Sequence, residues 1–154
     1  MRSFAAGFLA CLLLIAAVGV VAKAMAETWL TISVASYHFK ERDSGKGSYE
    51  QTNPGLGLEH VLSDKWRFGA GTYRSSIRTD ASYVGAMYTP FSWSYLKFGV
   101  ALGAVSGYEP NLIPLVIPTL MVEGKKWGAN ILFVPPVQKT DGGGLGFQVK
   151  FKFP

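Results

Sequence analysis

The chain has 154 residues, of which 49% are apolar, 14% aromatic and only 16% charged. That aromatic and aliphatic content excludes intrinsic disorder, and a single Cys beside 18 Gly excludes a disulfide scaffold. The formal charge of +5 comes from Lys and Arg scattered along the chain rather than clustered on one face, so no nucleic-acid partner is expected.

Met1–Ala26 carries an early cation at Arg2, an apolar run from Phe4 to Ala22, and then Ala24-Met25-Ala26. A short basic start, an apolar stretch and an A-x-A site make a secretory signal peptide. The apolar run is also long enough to be a retained anchor, but the small-residue site follows it at once. The expected plan is therefore a cleaved signal peptide over 1–26 and a single exported domain over 27–154. Cleavage takes away Arg2, Lys23 and Cys11, which leaves a net charge of +3 and no cysteine.

From Thr28 onward strands are expected at 28–39, 53–62, 66–76, 81–91, 95–107, 114–123, 127–137 and 144–153. In the second, Leu56 and Leu58 oppose Gly55, Gly57 and Glu59. In the third, Trp66, Phe68 and Ala70 oppose Arg67, Gly69 and Gly71. The fourth has Tyr83, Gly85, Met87 and Thr89 on one face, and the fifth sets Leu96, Phe98, Val100 and Leu102 against Lys97, Gly99, Ala101 and Gly103. The seventh opposes Trp127, Ala129, Ile131 and Phe133 to Gly128 and Asn130. The eighth opposes Leu145, Phe147, Val149, Phe151 and Phe153 to Gly146, Gln148, Lys150 and Lys152. Successive side chains on a strand point to opposite faces, so each ribbon has one large apolar face and one small or polar face.

The connectors 63–65, 92–94 and 124–126 are tight, whereas 40–52, 77–80, 108–113 and 138–143 are mostly longer and more polar. An even number of strands of about ten residues, with short turns at one end and long loops at the other, predicts an all-β fold: an eight-stranded antiparallel transmembrane β-barrel of the bacterial outer membrane. The large apolar face then looks outward to lipid. The glycine-rich face looks inward, where a narrow lumen only just accommodates side chains. A soluble sandwich would leave the Gly faces in water, where they make poor strands. Trp29, Trp66, Tyr73, Trp93, Tyr95 and Trp127 are expected in the two interfacial girdles.

Few residues can carry chemistry. His38 and His60 are the only histidines, and Gly142-Gly143-Gly144 leads into a strand rather than a helix, so neither a metal nor a cofactor is expected. His60 falls near the short-turn end and reads as structural. His38 closes the first strand, and Ser75-Ser76 close the third at the same end. A His can take a proton from a hydroxyl, and a Ser can attack an ester carbonyl or stabilise its oxyanion. The plainer reading is that all three are solvated rim residues. Proline cannot donate to a ladder, so Pro114 and Pro118 in the sixth strand, with Pro135 and Pro136 in the seventh, are expected to weaken pairing between those two strands. Otherwise they shape strand ends only.

The ordered set Tyr37-His38, Tyr49, Pro54-Gly55-Leu56-Gly57-Leu58, Tyr73-Arg74-Ser75-Ser76, Gly85, Pro114-Leu115-Val116-Ile117-Pro118 and Val134-Pro135 resembles the outer-membrane lipid A palmitoyltransferases over most of 28–153. The resemblance implies an eight-stranded barrel that moves an acyl chain from a phospholipid to a lipid A hydroxyl. The acyl chain would sit in an apolar cavity, with a His, an Asp and a Ser at the extracellular rim. His38 matches the family His and Ser76 the family Ser, while the Asp position falls on Ser75. Asp80 in the adjacent loop is the nearest substitute carboxylate. The resemblance further implies lateral lipid access between strands 6 and 7, and a second opening at Pro54. Met87 falls where the family keeps a small residue at the cavity floor, which implies a chain shorter than palmitate. The amphipathic helix that leads the family's barrels has no counterpart. The expected partners are phospholipid and lipid A, and a monomer is expected. The rival readings are a lipid A or phospholipid deacylase, with water as acceptor, and a non-catalytic small barrel with a structural or binding role.

Overall fold

A computed structural model describes residues 27–41, 47–108, 111–136 and 143–153; the signal-peptide expectation lies outside these. The elements in chain order are β1 (Thr28–His38), β2 (Thr52–Val61), β3 (Trp66–Arg74), β4 (Asp80–Trp93), β5 (Leu96–Ser106), β6 (Leu112–Glu123), β7 (Trp127–Val134) and β8 (Gly144–Lys152). Each strand pairs antiparallel with the next, and β1 closes on β8 to make a barrel of eight. The β2–β3, β4–β5 and β6–β7 connections cluster at one end; the other four form the loop end. Strand 7 stops at Val134, before Pro135 and Pro136, rather than continuing to residue 137. Those prolines remove the ladder donors that a longer strand needs.

The alternation becomes an inside and an outside. Phe68, Phe98, Val116, Trp127, Phe133 and Phe151 are exposed on the outer wall, while Arg67, Asn130, Gln148 and Lys150 are buried in the lumen. The lumen belongs to glycines and polar groups because large side chains from eight strands do not fit there. Two aromatics depart from the expected girdles. Trp29 is buried in the lumen with the Lys150 ammonium over its ring, 5.2 Å from the centroid. Tyr73 also turns inward, its hydroxyl 2.9 Å from that of Tyr108. Their inward-pointing neighbours along the ladders, Thr31 and Gly71, mark the face they belong to, which position near a strand end does not reveal.

β1 keeps one face only by means of a bulge. Ser33 pairs with Gln148 but Ala35 pairs with Phe147, so Val34 is an extra residue against β8. Trp29, Thr31 and Ser33 align with the inward residues Lys152, Lys150 and Gln148. Beyond the bulge the even-numbered Ser36 and His38 align with Gly146 and Gly144. The extra residue flips the parity, so both halves of the strand present polar groups to the lumen.

The short-turn half of the lumen is filled by an ion cluster. Glu59 Oε1 lies 2.8 Å from both Arg67 Nη1 and Lys150 Nζ. Glu123 Oε1 lies 2.5 Å from each of the same two nitrogens, and its Oε2 is 2.6 Å from Lys97 Nζ. Asn130 donates to Glu59 Oε2 at 3.0 Å. Six strands contribute to this cluster, and it closes the barrel's lower half.

Candidate functional site

Above the ion cluster the lumen opens into a cavity of about 880 Å³ that reaches the loop end. Its walls differ. Met87, Ala101, Val105, Ile113, Leu115 and Ile117 make β4–β6 apolar, whereas β1, β2 and β8 contribute Thr31, Ser33, Ser36, Asn53, Glu59 and Gln148. A polar layer spans the lumen below: the Tyr83 hydroxyl is 3.3 Å from Thr31 Oγ1, and Gln148 Nε2 donates to Ser33 Oγ at 3.2 Å. Tyr83 reaches across because β2 and β3 present Gly57 and Gly71. A Cβ at Gly57 would meet the Tyr83 hydroxyl, with Ala70 O and Thr31 Oγ1 each at 2.7 Å.

His38 and Ser76 both line this cavity at the loop end. His38 arrives through the β1 bulge; its Nε2 is 3.3 Å from Ser36 Oγ, and its ring stacks on Tyr49 with centroids 4.0 Å apart and planes 15° apart. Ser76 sits on the tight turn after β3. The backbone N–H of Glu50 donates to the Ser76 carbonyl at 2.8 Å, so the residue next to Tyr49 is bonded to the turn that carries Ser76.

Ser75 is not a member of this group. It is fully buried and outside the cavity wall, and its hydroxyl closes the turn: Oγ is 2.7 Å from Thr79 Oγ1 and accepts from the Thr79 N–H at 3.1 Å. Thr79 Oγ1 in turn donates to Gly107 O at 2.6 Å, tying the turn to the β5–β6 connection. Ser75 thus closes the turn, apart from the cavity that His38 and Ser76 line. Asp80 Oδ1 accepts from Arg74 Nη1 at 3.0 Å on the exposed face. His60 lies near the short-turn end, its Nδ1 2.9 Å from Thr28 Oγ1, away from the cavity.

The prolines divide between the two expected openings. β6 and β7 pair only from Thr119↔Leu132 to Glu123↔Gly128. Among the described residues, the segment of β6 holding Pro114 and Pro118 has no β7 partner, although its ladder to β5 runs without a break from Leu112 to Val122. Ile113, Leu115, Ile117, Leu132 and Val134, on the two sides of this gap, all line the cavity. At Pro54 the outcome is different. β1 and β2 pair on both sides of it, at Ser33↔Gly55 and Ala35↔Thr52, and Ser36 N bonds Gln51 O at 2.8 Å. Pro54 occupies a bulge instead of an opening, because the chain absorbs its missing donor in an irregular step of the register.

Met87 is buried in the cavity wall and is the direct cross-strand partner of Arg67, so it stands where the apolar space meets the ion cluster. Two features were not assembled from the sequence: Tyr49 over His38, and the charge cluster of Glu59, Arg67, Glu123 and Lys150. Strand parity alone puts Glu59, Arg67 and Lys150 on the inward face, which is the available signal. In comparisons with known proteins, no family model and no curated protein matches the chain.

Proposed function

We propose that this chain is an outer-membrane acyltransferase that moves an acyl chain from a phospholipid to a lipid A hydroxyl. The observation that carries the reading is the cavity itself. It joins a His and a Ser at its loop-end mouth to a side gap between β6 and β7, and it is closed beneath by buried charge. Its 880 Å³ falls within the range of about 300–1,000 Å³ common for small-molecule sites. The apolar outer wall supports a membrane setting, since exposed Phe, Leu and Trp around the whole circumference suit lipid better than water.

In this reading a donor phospholipid reaches the cavity through the β6–β7 gap and lays its acyl chain along Ile113, Leu115 and Met87. His38 takes the proton of the acceptor hydroxyl as that oxygen attacks the ester carbonyl. The Ser76 hydroxyl donates a hydrogen bond to the developing oxyanion. Collapse of the tetrahedral intermediate breaks the bond to the glycerol oxygen, which leaves as a lysophospholipid hydroxyl with the proton from His38.

Mass spectrometry of lipid A from cells expressing the chain tests this. Acyl transfer adds the mass of one chain, and His38→Ala abolishes the gain. A His38-dependent loss of mass would instead favour the deacylase, and unchanged lipid A would favour a non-catalytic barrel. The same spectra report chain length: Met87→Gly deepens the apolar space and is expected to lengthen the transferred chain, and identical chains in the two proteins would remove Met87 from that role. Fractionation of the same cells is expected to find the protein in the outer membrane, beginning at Glu27.

A further inference from the structure

We infer that the acyl chain held in the cavity carries a hydroxyl close to its carboxyl end, and that Asn53 is the residue that recognises it. The inference deepens the acyl-transfer reading and rests on it for placing the ester carbonyl between His38 and Ser76.

Asn53 is 5% exposed and lines the cavity. Two carbonyls fix the orientation of its amide: Nδ2 donates to Arg74 O at 3.0 Å and to Glu50 O at 3.5 Å. A flipped amide would set its oxygen against both carbonyl oxygens, so the nitrogen stays on that side and Oδ1 is turned away from it. Among the described residues this Oδ1 is buried and has no hydrogen-bond partner. A buried acceptor left unpaired is costly, so a ligand O–H that reaches it gains affinity that a bare methylene does not. Nor does the strand itself call for this residue, since Asn is a poor strand former and the next position, Pro54, brings no ladder donor.

The depth of Asn53 follows from β1. Ser36 Oγ donates to the same Glu50 carbonyl at 3.5 Å, so Ser36 and Asn53 stand at one level. Ser36 is one inward-facing step below His38, and two residues of strand span about 7 Å. A chain whose carbonyl lies at His38 and Ser76 therefore passes Asn53 within its first few carbons. The wall below stays polar, with Ser33 and then Thr31, whose Oγ1 lies 3.3 Å from the Tyr83 hydroxyl. Ile113, Leu115 and Ile117 give the β6 side of the cavity an apolar wall. A chain with one hydroxyl near its head matches both sides: its oxygen meets β2 and its methylenes meet β6. A plain saturated chain of the same length leaves Asn53 Oδ1 dry.

Titration calorimetry of the full chain in detergent micelles, with β-hydroxymyristate and myristate as the two probes, tests this without relying on turnover. The native protein is expected to bind the hydroxylated acid about 10-fold more tightly, the ratio that one buried acceptor left unpaired produces. In Asn53→Leu, with folding checked by heat-modifiable gel migration, the ratio is expected to fall to about one. Because the readout is a ratio within one protein, a general loss of affinity in the variant cancels. If the variant does not fold, the native ratio alone decides. Equal binding of the two acids by the native protein, a preference for myristate, or no binding of either would overturn the inference. A preference that survives Asn53→Leu would remove Asn53 from it. Lipid A left unchanged beside a tenfold ratio in the native protein would sink acyl transfer and leave the hydroxyl site standing; transfer of plain and hydroxylated chains at equal rates would do the reverse.

Discussion

Glycines in the lumen of this barrel are not equivalent, and single methyl groups distinguish them. A Cβ at Gly57 has backbone oxygen and the Tyr83 hydroxyl in its way, so neither side yields cheaply; one at Gly69 meets only Leu58 O at 3.6 Å and Met87 Cε at 3.7 Å, ordinary contacts. Gly57→Ala is therefore expected to destabilise the barrel by about 1–3 kcal/mol, the range for overpacking a filled interior. Gly69→Ala should leave stability within about 0.5 kcal/mol, as substitutions without a structural penalty do. Urea titrations in a fixed detergent measure both, and a similar loss for the two would disprove the distinction. At this scale the sequence was legible where strand parity decides, as for Arg67 and Met87, and illegible where distance across the lumen decides. Nothing in the spacing of Trp29 and Lys150, or of Tyr49 and His38, reveals that their side chains meet, because each pair is joined by ring closure or by a loop rather than by a period.

Among the described residues, β6 is held on one side only over half its length. N–H groups alternate in direction along a strand, and the ladder to β5 continues past both prolines, so their missing donors point toward β7. Val116 shares that parity, which leaves its amide as the one donor facing the gap between Pro114 and Pro118, while Leu115 and Ile117 face β5. Hydrogen exchange in micelles is expected to show Val116 exchanging faster than Leu115 and Ile117, and equal protection of the three would mean that the gap is closed. Four prolines made this weakness legible in advance, since the absence of a donor is a property of the residue itself. Pro54 shows the limit of the same argument. An isolated Pro with a flexible neighbour can be taken up by a bulge, and the register of the opposing strand, not composition, determines which outcome holds. The bulge at Val34 was hidden for the same reason, although it is what turns His38 inward.

At the level of the whole molecule, the closed order of eight strands followed from alternation and connector lengths, and the structure bears it out. The division of the lumen into an open cavity and a charged floor did not follow, because ion pairs between β2, β3, β5, β6 and β8 require the closed ring before the partners exist. That floor is a stability element with a measurable signature. Glu59 serves Arg67, Lys150 and Asn130, so Glu59→Leu leaves two buried cations to share Glu123 with Lys97. Breaking a buried pair from one side is expected to cost on the order of 3–5 kcal/mol, and raised salt will not reproduce the loss because buried charge is poorly screened. Unfolding midpoints within error of the native protein would show the cluster to be dispensable.

The same floor also decides what the barrel cannot be. With Arg67, Lys150, Glu59 and Met121 all shut away from solvent, side chains fill the tube beneath the cavity. A molecule built this way is expected to insulate: set in a lipid film under voltage it would carry no current, and a steady conductance would show that the floor leaks.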